Sequence, residues 1–248
     1  MRHTKSNAQS VEVVRIANID IELHRRAIKN IHLSVLPPNG RVRLSIPNDT
    51  SEQKIRLAIV NKLAWIKKQQ ADFAGQERQS IREMVNGECH YLWGKRCRLK
   101  LVAAKGKYSV TAKGNGKLEL AVAQNTSTDN KLKLLNRFYR DEIQRLITKL
   151  LPQWEKKLGV NADFLNIKKM KTKWGSCNIQ AKRIWLNLEL AKKPPECVEF
   201  ILAHELVHLL ERHHNERFRS LMDKHLPNWR ERRNLLNSLP LAYEDWGY

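Results

Sequence analysis

The feature that most restricts the fold of this chain is the run His204-Glu205-Leu206-Val207-His208. In an α-helix, side chains four residues apart lie on one face, so both imidazoles of this run can reach one metal ion if it is helical. Pro194-Pro195 offers a start for that helix. We therefore predict a helix from about Cys197 to Glu211 whose imidazoles bind one metal ion. Glu205 would contact a metal-bound water without being a ligand.

A third metal ligand is expected just after this helix. The stretch 211–215 is wholly polar, so the apolar stripe ends there and the chain turns back. Spacing alone does not choose between His213 and His214. His214 adjoins Asn215, a predicted cap of the next helix, and would therefore be firmly held. Weaker alternatives are two downstream carboxylates, Asp223 and Glu231.

The first half of the chain has the alternating patterns of short strands with one helix among them. Residues 31–35 and 42–47 predict a hairpin around the turn 37–40, and a helix begins at Thr50 or Ser51 and continues to Ile66. Three further strands are predicted, at 98–102, 107–111 and 117–122. A polar stretch at 124–130 predicts a boundary, which gives a β-rich N-terminal domain over residues 1–125.

The predicted second domain, residues 126–248, begins with a long amphipathic helix that Pro152 should kink or restart. A strand at 165–173 and another at 183–188 then predict a hairpin, followed by the helix that carries the two histidines and a helix near Asn215. The whole chain is thus expected to be an α+β protein, with a β-rich N-terminal region followed by a domain of helix, hairpin and two helices.

Composition limits the class of protein. Apolar residues make up 42% of the chain, enough for a sizeable core, and the formal net charge is +21, which favours polyanionic partners such as nucleic acid or nucleotides. No apolar run approaches the roughly 20 residues that span a bilayer, residues 1–6 contain no apolar signal stretch, and the four cysteines form no CxxC. We expect a cytoplasmic protein with reduced thiols and no membrane partner.

Several motifs occur together: the run Lys171-Thr172-Lys173-Trp174-Gly175-Ser176-Cys177, then Leu186-Asn187, Pro194-Pro195, and the two helical histidines followed by His214 and Phe218. This pattern resembles the YgjP-like metallopeptidase family, which is akin to the SprT-like and WLM zinc proteases. The resemblance covers most of the chain, including residues 41–47 and Trp65-Ile66. The five-residue interval before His214 matches the family spacing and favours His214 over His213. The chain departs from the pattern at Arg219, where the family usually has an aromatic residue.

The resemblance implies a zincin-like catalytic domain with one Zn²⁺ held by His204, His208 and His214, and Glu205 as general base. Asn187 and Glu211 are candidates for orienting the imidazoles. An extended peptide could lie along the edge of the strand from Ile184 to Leu188. The predicted cleft residues are Trp174, Gly175, Ser176 and Asn187.

Three hypotheses about function follow. The first is a zinc-dependent peptidase in which Glu205 activates a zinc-bound water, acting on a peptide or protein substrate near nucleic acid. The second is an enzyme with the same metal site that hydrolyses a phosphoanhydride bond in a nucleotide. The third is a non-enzymatic nucleic-acid-binding module, in which a fourth protein ligand closes a structural metal site. Imidazole ligands suit cobalt and manganese as well as zinc.

Overall fold

The computed structural model describes residues 12–36, 40–75, 82–170 and 173–239. The predicted turn at 37–39, residues 171–172 of the family-like run and residues 1–6 lie outside them. The chain forms two compact units that divide between residues 79 and 80. In the described residues, no helix is both long enough and apolar enough to cross a membrane.

The first unit is a four-stranded sheet with two helices on one face. Its strands are β1 (Glu12–Ile16), β2 (Ile19–Arg26), β3 (His32–Leu36) and β4 (Arg41–Pro47), in the order β1-β2-β4-β3. The hairpin of β3 and β4 forms as predicted, whereas β2 pairs in parallel with β4. The predicted single helix is two helices, α1 (Glu52–Val60) and α2 (Leu63–Gly75).

The second unit begins with another four-stranded sheet. It comprises β5 (Cys89–Leu92), β6 (Lys95–Ala103), β7 (Ser109–Lys113) and β8 (Lys117–Val122), in the order β5-β6-β8-β7. Inward residues of this sheet, such as Leu99 and Leu120, share one apolar core with Tyr139 and Ile143 of the following helix. That shared core explains why the units do not divide after residue 125, the position where the polar stretch predicts a boundary.

Helix α3 (Thr128–Leu158) runs for 31 residues beside this sheet. The side chain of Ser127 accepts a hydrogen bond from the Asn130 N–H at its start, and Gly159, with φ 65°, ends it in the left-handed conformation. Pro152 lies inside the helix and does not restart it.

A three-stranded sheet and three helices complete the second unit. The strands are β9 (Phe164–Lys168), β10 (Gly175–Asn178) and β11 (Arg183–Asn187), and a 3-10 helix (Leu188–Lys192) follows. The helices are α4 (Pro195–Val207), α5 (Glu216–His225) and α6 (Trp229–Ser238). The mixed α+β class and the β-rich N-terminal half are confirmed.

The three-stranded sheet corrects the predicted hairpin. Strand β11 is central: it pairs antiparallel with β10 and parallel with β9. The chain therefore leaves the sheet after Lys168 and returns at Gly175, so a strand running unbroken from 165 to 173 does not form. The expected edge at Ile184–Leu188 is wrong for the same reason, because β11 has a partner on both sides. The edge strand beside α4 is β10.

Candidate metal centre

Helix α4 carries the two histidines at the centre of the second unit. It is apolar on nearly every face, and Leu202, Ala203, Leu206 and Val207 are fully buried, as expected for a helix surrounded by other elements. The helix ends at Val207, four residues before the predicted end. His208 is its C-cap and keeps a helical φ of −62°, so it still lies one turn beyond His204.

A third imidazole comes from the start of α5. The Asn215 side chain accepts a hydrogen bond from the Phe218 N–H, which caps α5 as predicted and fixes the residue before it. The ligand atoms of His204, His208 and His214 all lie within 4.8 Å of one another. Within the described residues this group contains no fourth histidine, cysteine or carboxylate.

The alternative ligands occupy other positions. His213 is exposed, and its backbone N–H donates to the Glu211 carboxylate. Asp223 accepts hydrogen bonds from Arg230 and from the Trp229 indole. Neither His213, Asp223 nor Glu231 belongs to the imidazole group.

The geometry and chemistry of the three imidazoles fit a divalent metal ion. The Nε2 atoms of His204 and His214 are 3.0 Å apart, close to the separation of about 3.3 Å between two nitrogens bound tetrahedrally to one zinc. Burial, followed by the proximity of the other two imidazoles, lowers the pKa of His204 to about 3. Burial also lowers the pKa of His208. Both rings are therefore neutral near pH 7, the form that binds a metal.

In the described part of the chain, a hydrogen bond fixes the tautomer of His208 but none fixes that of His204. The His208 Nδ1 lies 3.1 Å from the Glu211 carbonyl oxygen, so that nitrogen carries the proton and Nε2 is left with a lone pair. Glu211 thus orients an imidazole through its backbone. The Nδ1 of His204 is buried and has no hydrogen-bond partner among the described residues.

Phe218 belongs to the family-like pattern, but the sequence predicted no role for it. It is 2% exposed, and its ring centroid lies 4.9 Å from those of His204 and His208 and 4.8 Å from that of His214. All three imidazoles therefore pack on one rigid apolar ring, which restricts their rotation. Two signals could have found it: its position four residues after His214, in the predicted helix near Asn215, and its place in the family-like pattern.

Glu205 lies beside this group and against β10. It is 5% exposed, and burial raises its pKa to about 8 against the opposing effect of the Lys173 charge. A Cβ added to Gly175 would lie 2.7 Å from the Cγ of Glu205 and 2.8 Å from its Cδ. The carboxyl group therefore occupies space that only a glycine at position 175 leaves free.

The predicted cleft residues separate into two sets. Gly175 and Ser176 line a cleft of about 870 Å³ together with the three imidazoles and Glu205. Trp174 and Asn187 do not line it: Trp174 packs against the core, and the Asn187 N–H donates to the Trp174 carbonyl.

Asn187 holds the segment that leads into β10. Its side-chain Nδ2 donates to the carbonyls of Met170 and Lys173, both at 2.8 Å, and its Oδ1 accepts from the Met170 and Glu189 N–H groups. It makes none of the imidazole contacts expected of it. It instead fixes the backbone that brings Gly175 against Glu205.

Comparison with known proteins then assigns the family. Residues 29–239 match the family described as YgjP-like, metallopeptidase domain. The chain belongs to the YgjP-like metallopeptidase family. It is therefore a metal-dependent hydrolase of the metallopeptidase class, and membership implies a catalytic metal ion and a peptide or protein substrate.

Other comparisons add little to this assignment. Among solved structures, the chain is similar to the crystal structure of the metallopeptidase zymogen of Pyrococcus abyssi abylysin. The two share 22% identity, with 36% of this chain and 90% of that chain covered and a TM-score of 0.34. No curated protein matches this YgjP-like sequence.

Proposed function

We propose that His204, His208 and His214 hold one zinc ion and that Glu205 is the general base of a peptide-bond hydrolase. The observation that carries this proposal is the convergence of three imidazole donors within 4.8 Å of one another. A carboxyl group, that of Glu205, follows His204 directly on α4. A divalent ion bound there would polarise the scissile carbonyl and lower the pKa of a coordinated water.

Glu205 performs the proton transfers in this mechanism. In its ionised form, which a bound divalent cation would favour against the effect of burial, the carboxyl group accepts a proton from the attacking water and then delivers it to the amine that leaves. Three protein ligands, with no fourth in the described residues, leave a coordination position for substrate or water. This count argues against the closed structural site that a non-enzymatic module would need.

The substrate peptide lies along β10 in this proposal. Among the described strands, β10 pairs only with β11, so its other edge has unpaired backbone N–H and C=O groups. This edge lines the same cleft as the imidazoles. An extended peptide can add to it as a further strand, which brings a scissile carbonyl towards Glu205.

Mutation separates the roles of these residues. Glu205→Gln should retain one equivalent of metal and lose turnover by about 10² to 10⁴-fold, whereas His204→Ala should lose both. The matched control is His213→Ala, which removes an exposed imidazole of the same loop and should keep both metal and activity. Metal content by elemental analysis and hydrolysis of quenched fluorescent peptides provide the two measurements. Parental turnover in metal-loaded Glu205→Gln would refute the mechanism.

A chelator test distinguishes the chemical class of substrate. A chelator first removes the metal, and the protein is then reloaded with zinc, cobalt or manganese. Hydrolysis of a peptide library and, separately, of nucleoside triphosphates is measured. We expect peptide hydrolysis that returns with zinc. Turnover of triphosphates alone would favour phosphoanhydride hydrolysis, a reaction that the cations Lys173 and Arg212 at the cleft would also suit.

We extend the proposal to substrates that lie on nucleic acid. The outer face of the second four-stranded sheet carries Arg96, Arg98 and Lys100 at alternate positions of β6, all exposed, in a chain of net charge +21. Cations in this arrangement bind phosphate backbones with an affinity that falls steeply with salt. Fluorescence anisotropy with a labelled oligonucleotide at about 50 and 200 mM salt tests this, and binding that does not depend on salt would contradict it.

A further inference from the structure

A second pocket adjoins the catalytic cleft beyond the carboxyl end of β10. It has a volume of about 640 Å³ and shares Ile179 and Leu209 with the cleft, so the two form one groove. Two of its lining residues are basic: Lys156, in the last turn of α3, and Lys182, in the turn between β10 and β11. We call this the lysine pocket.

Basic side chains dominate the charges of the whole groove. Four basic side chains line the groove, two in each part: Lys156, Lys182, Lys173 and Arg212. None of the four forms an ion pair in the described part of the chain. The lining carboxylates are Glu205, which the proposed reaction uses, and Glu155, which accepts a hydrogen bond from the Ala162 N–H at 2.8 Å. The groove is therefore electrostatically complementary to an acidic ligand.

Lys182 is held at the pocket in a strained backbone conformation. Its φ is +42°, in the left-handed region that disfavours any residue with a Cβ. The turn is fixed by hydrogen bonds: the Lys182 N–H donates to the Ile179 carbonyl, and the Lys182 carbonyl accepts from Asp163 and Phe164. Glycine or asparagine would fit this position better, so a lysine here keeps a cation beside the pocket despite its strain.

We propose that the lysine pocket is a specificity subsite that binds an acidic side chain of the substrate, on the amino-terminal side of the scissile bond. The proposal rests on the proposed peptidase function. A peptide paired antiparallel with β10 runs from Ile179 towards Gly175, where Glu205 lies. Residues that precede the scissile bond therefore reach the pocket, and residues that follow it extend away from it.

Matched peptides test the subsite. Glutamate and glutamine are placed in turn at each position of one cleavable peptide, and kcat/KM is measured with zinc-loaded, full-length protein. We expect glutamate to be preferred about three- to tenfold at one or two positions before the scissile bond, because exposed ion pairs contribute modestly. The preference should fall as salt rises from about 0.05 to 0.5 M, which a purely apolar pocket would not show.

Variants assign that preference to the pocket. Lys156→Glu and Lys182→Gly should each lower the glutamate-to-glutamine ratio towards one, and Lys182→Arg should retain it. Lys182→Gly relieves the positive φ, so its Tm should not fall, which separates loss of selectivity from misfolding. The control is Lys133→Glu, an identical charge change on α3 about 35 Å from Lys156, which should leave the ratio unchanged.

The outcomes distinguish this subsite from the underlying function. Equal cleavage of the glutamate and glutamine peptides at every position would overturn the subsite and leave the peptidase standing. A preference for glutamate only after the scissile bond would overturn it as well. Absence of cleavage of any peptide by zinc-loaded protein would instead refute the proposed function.

Discussion

Gly175→Ala tests whether β10 positions the carboxyl group of Glu205, the proposed general base. The new Cβ would lie 2.7 Å from the Cγ of Glu205, against an ordinary contact of at least 3.4 Å. One of the two groups must therefore move by about 0.7 Å or more, and a misplacement near 1 Å in an active site can reduce a rate by about 10²-fold. We expect kcat to fall about 30- to 100-fold, or roughly 2–3 kcal/mol of transition-state stabilisation.

The assay separates a displaced acid from other defects. The three atoms nearest to a Cβ at Gly175 all belong to Glu205 and none to an imidazole, so Gly175→Ala should keep one equivalent of zinc by elemental analysis. It should also keep a KM close to that of the parent in a fluorogenic peptide assay. Because Glu205 would already be displaced, adding Glu205→Gln to this variant should lower kcat by a much smaller factor than it does in the parent.

A matched glycine serves as the control. A Cβ at Gly114 would meet no atom within 4 Å, and Gly114, like Gly175, has no positive φ. Gly114→Ala should therefore behave as the parent in kcat and Tm. Parental kcat in metal-loaded Gly175→Ala, or a raised KM with no change in kcat, would contradict this role of Gly175.

Three further predictions concern buried residues outside the group of three imidazoles. Asn187→Leu leaves the Met170 and Lys173 carbonyls without their buried donor, so the free energy of unfolding should fall by about 1–3 kcal/mol in urea titrations, and kcat should fall with it. Phe218→Leu removes the ring on which the imidazoles pack, and zinc affinity measured by chelator competition should fall about tenfold. Burial lowers the pKa of His90 to about 4, so the unfolded chain binds more protons between pH 4 and 6.5. The free energy of unfolding should decrease as pH falls through that range, and His90→Gln should show a smaller decrease.

The sequence predicts the parts of the site that depend on local geometry. His204 and His208 lie one turn apart because helical spacing requires it, and Asn215 caps α5 because its side chain reaches an N–H three residues ahead. Each of these two contacts joins residues that are only three or four positions apart in the chain. The approach of His214 to His204 depends on the turn between two such elements, which the polar stretch 211–215 indicates.

Relations between distant segments could not be predicted in this way. Alternation identifies a strand but not its partner, so the parallel pairing of β9 with β11 and the edge position of β10 had no local signal. Gly175 carried a cleft prediction, but its contact with Glu205 depends on how β10 packs against α4. The polar stretch 124–130 resembles a linker because a surface loop inside a unit has the same composition.

The proposed metal ligands and the proposed general base depend on different parts of the fold. His204, Glu205 and His208 share one helix, yet the imidazoles pack on Phe218 of α5, while the carboxyl group packs on Gly175 of β10. Asn187 links β11 to the segment before β10, so it acts on the carboxyl group and not on the imidazoles. Changes in β10 or at Asn187 should therefore alter proton transfer at constant metal affinity. Changes in α5 should alter metal affinity and leave proton transfer unchanged. The two functions proposed for this five-residue run, metal binding and proton transfer, can thus be adjusted separately by residues outside it.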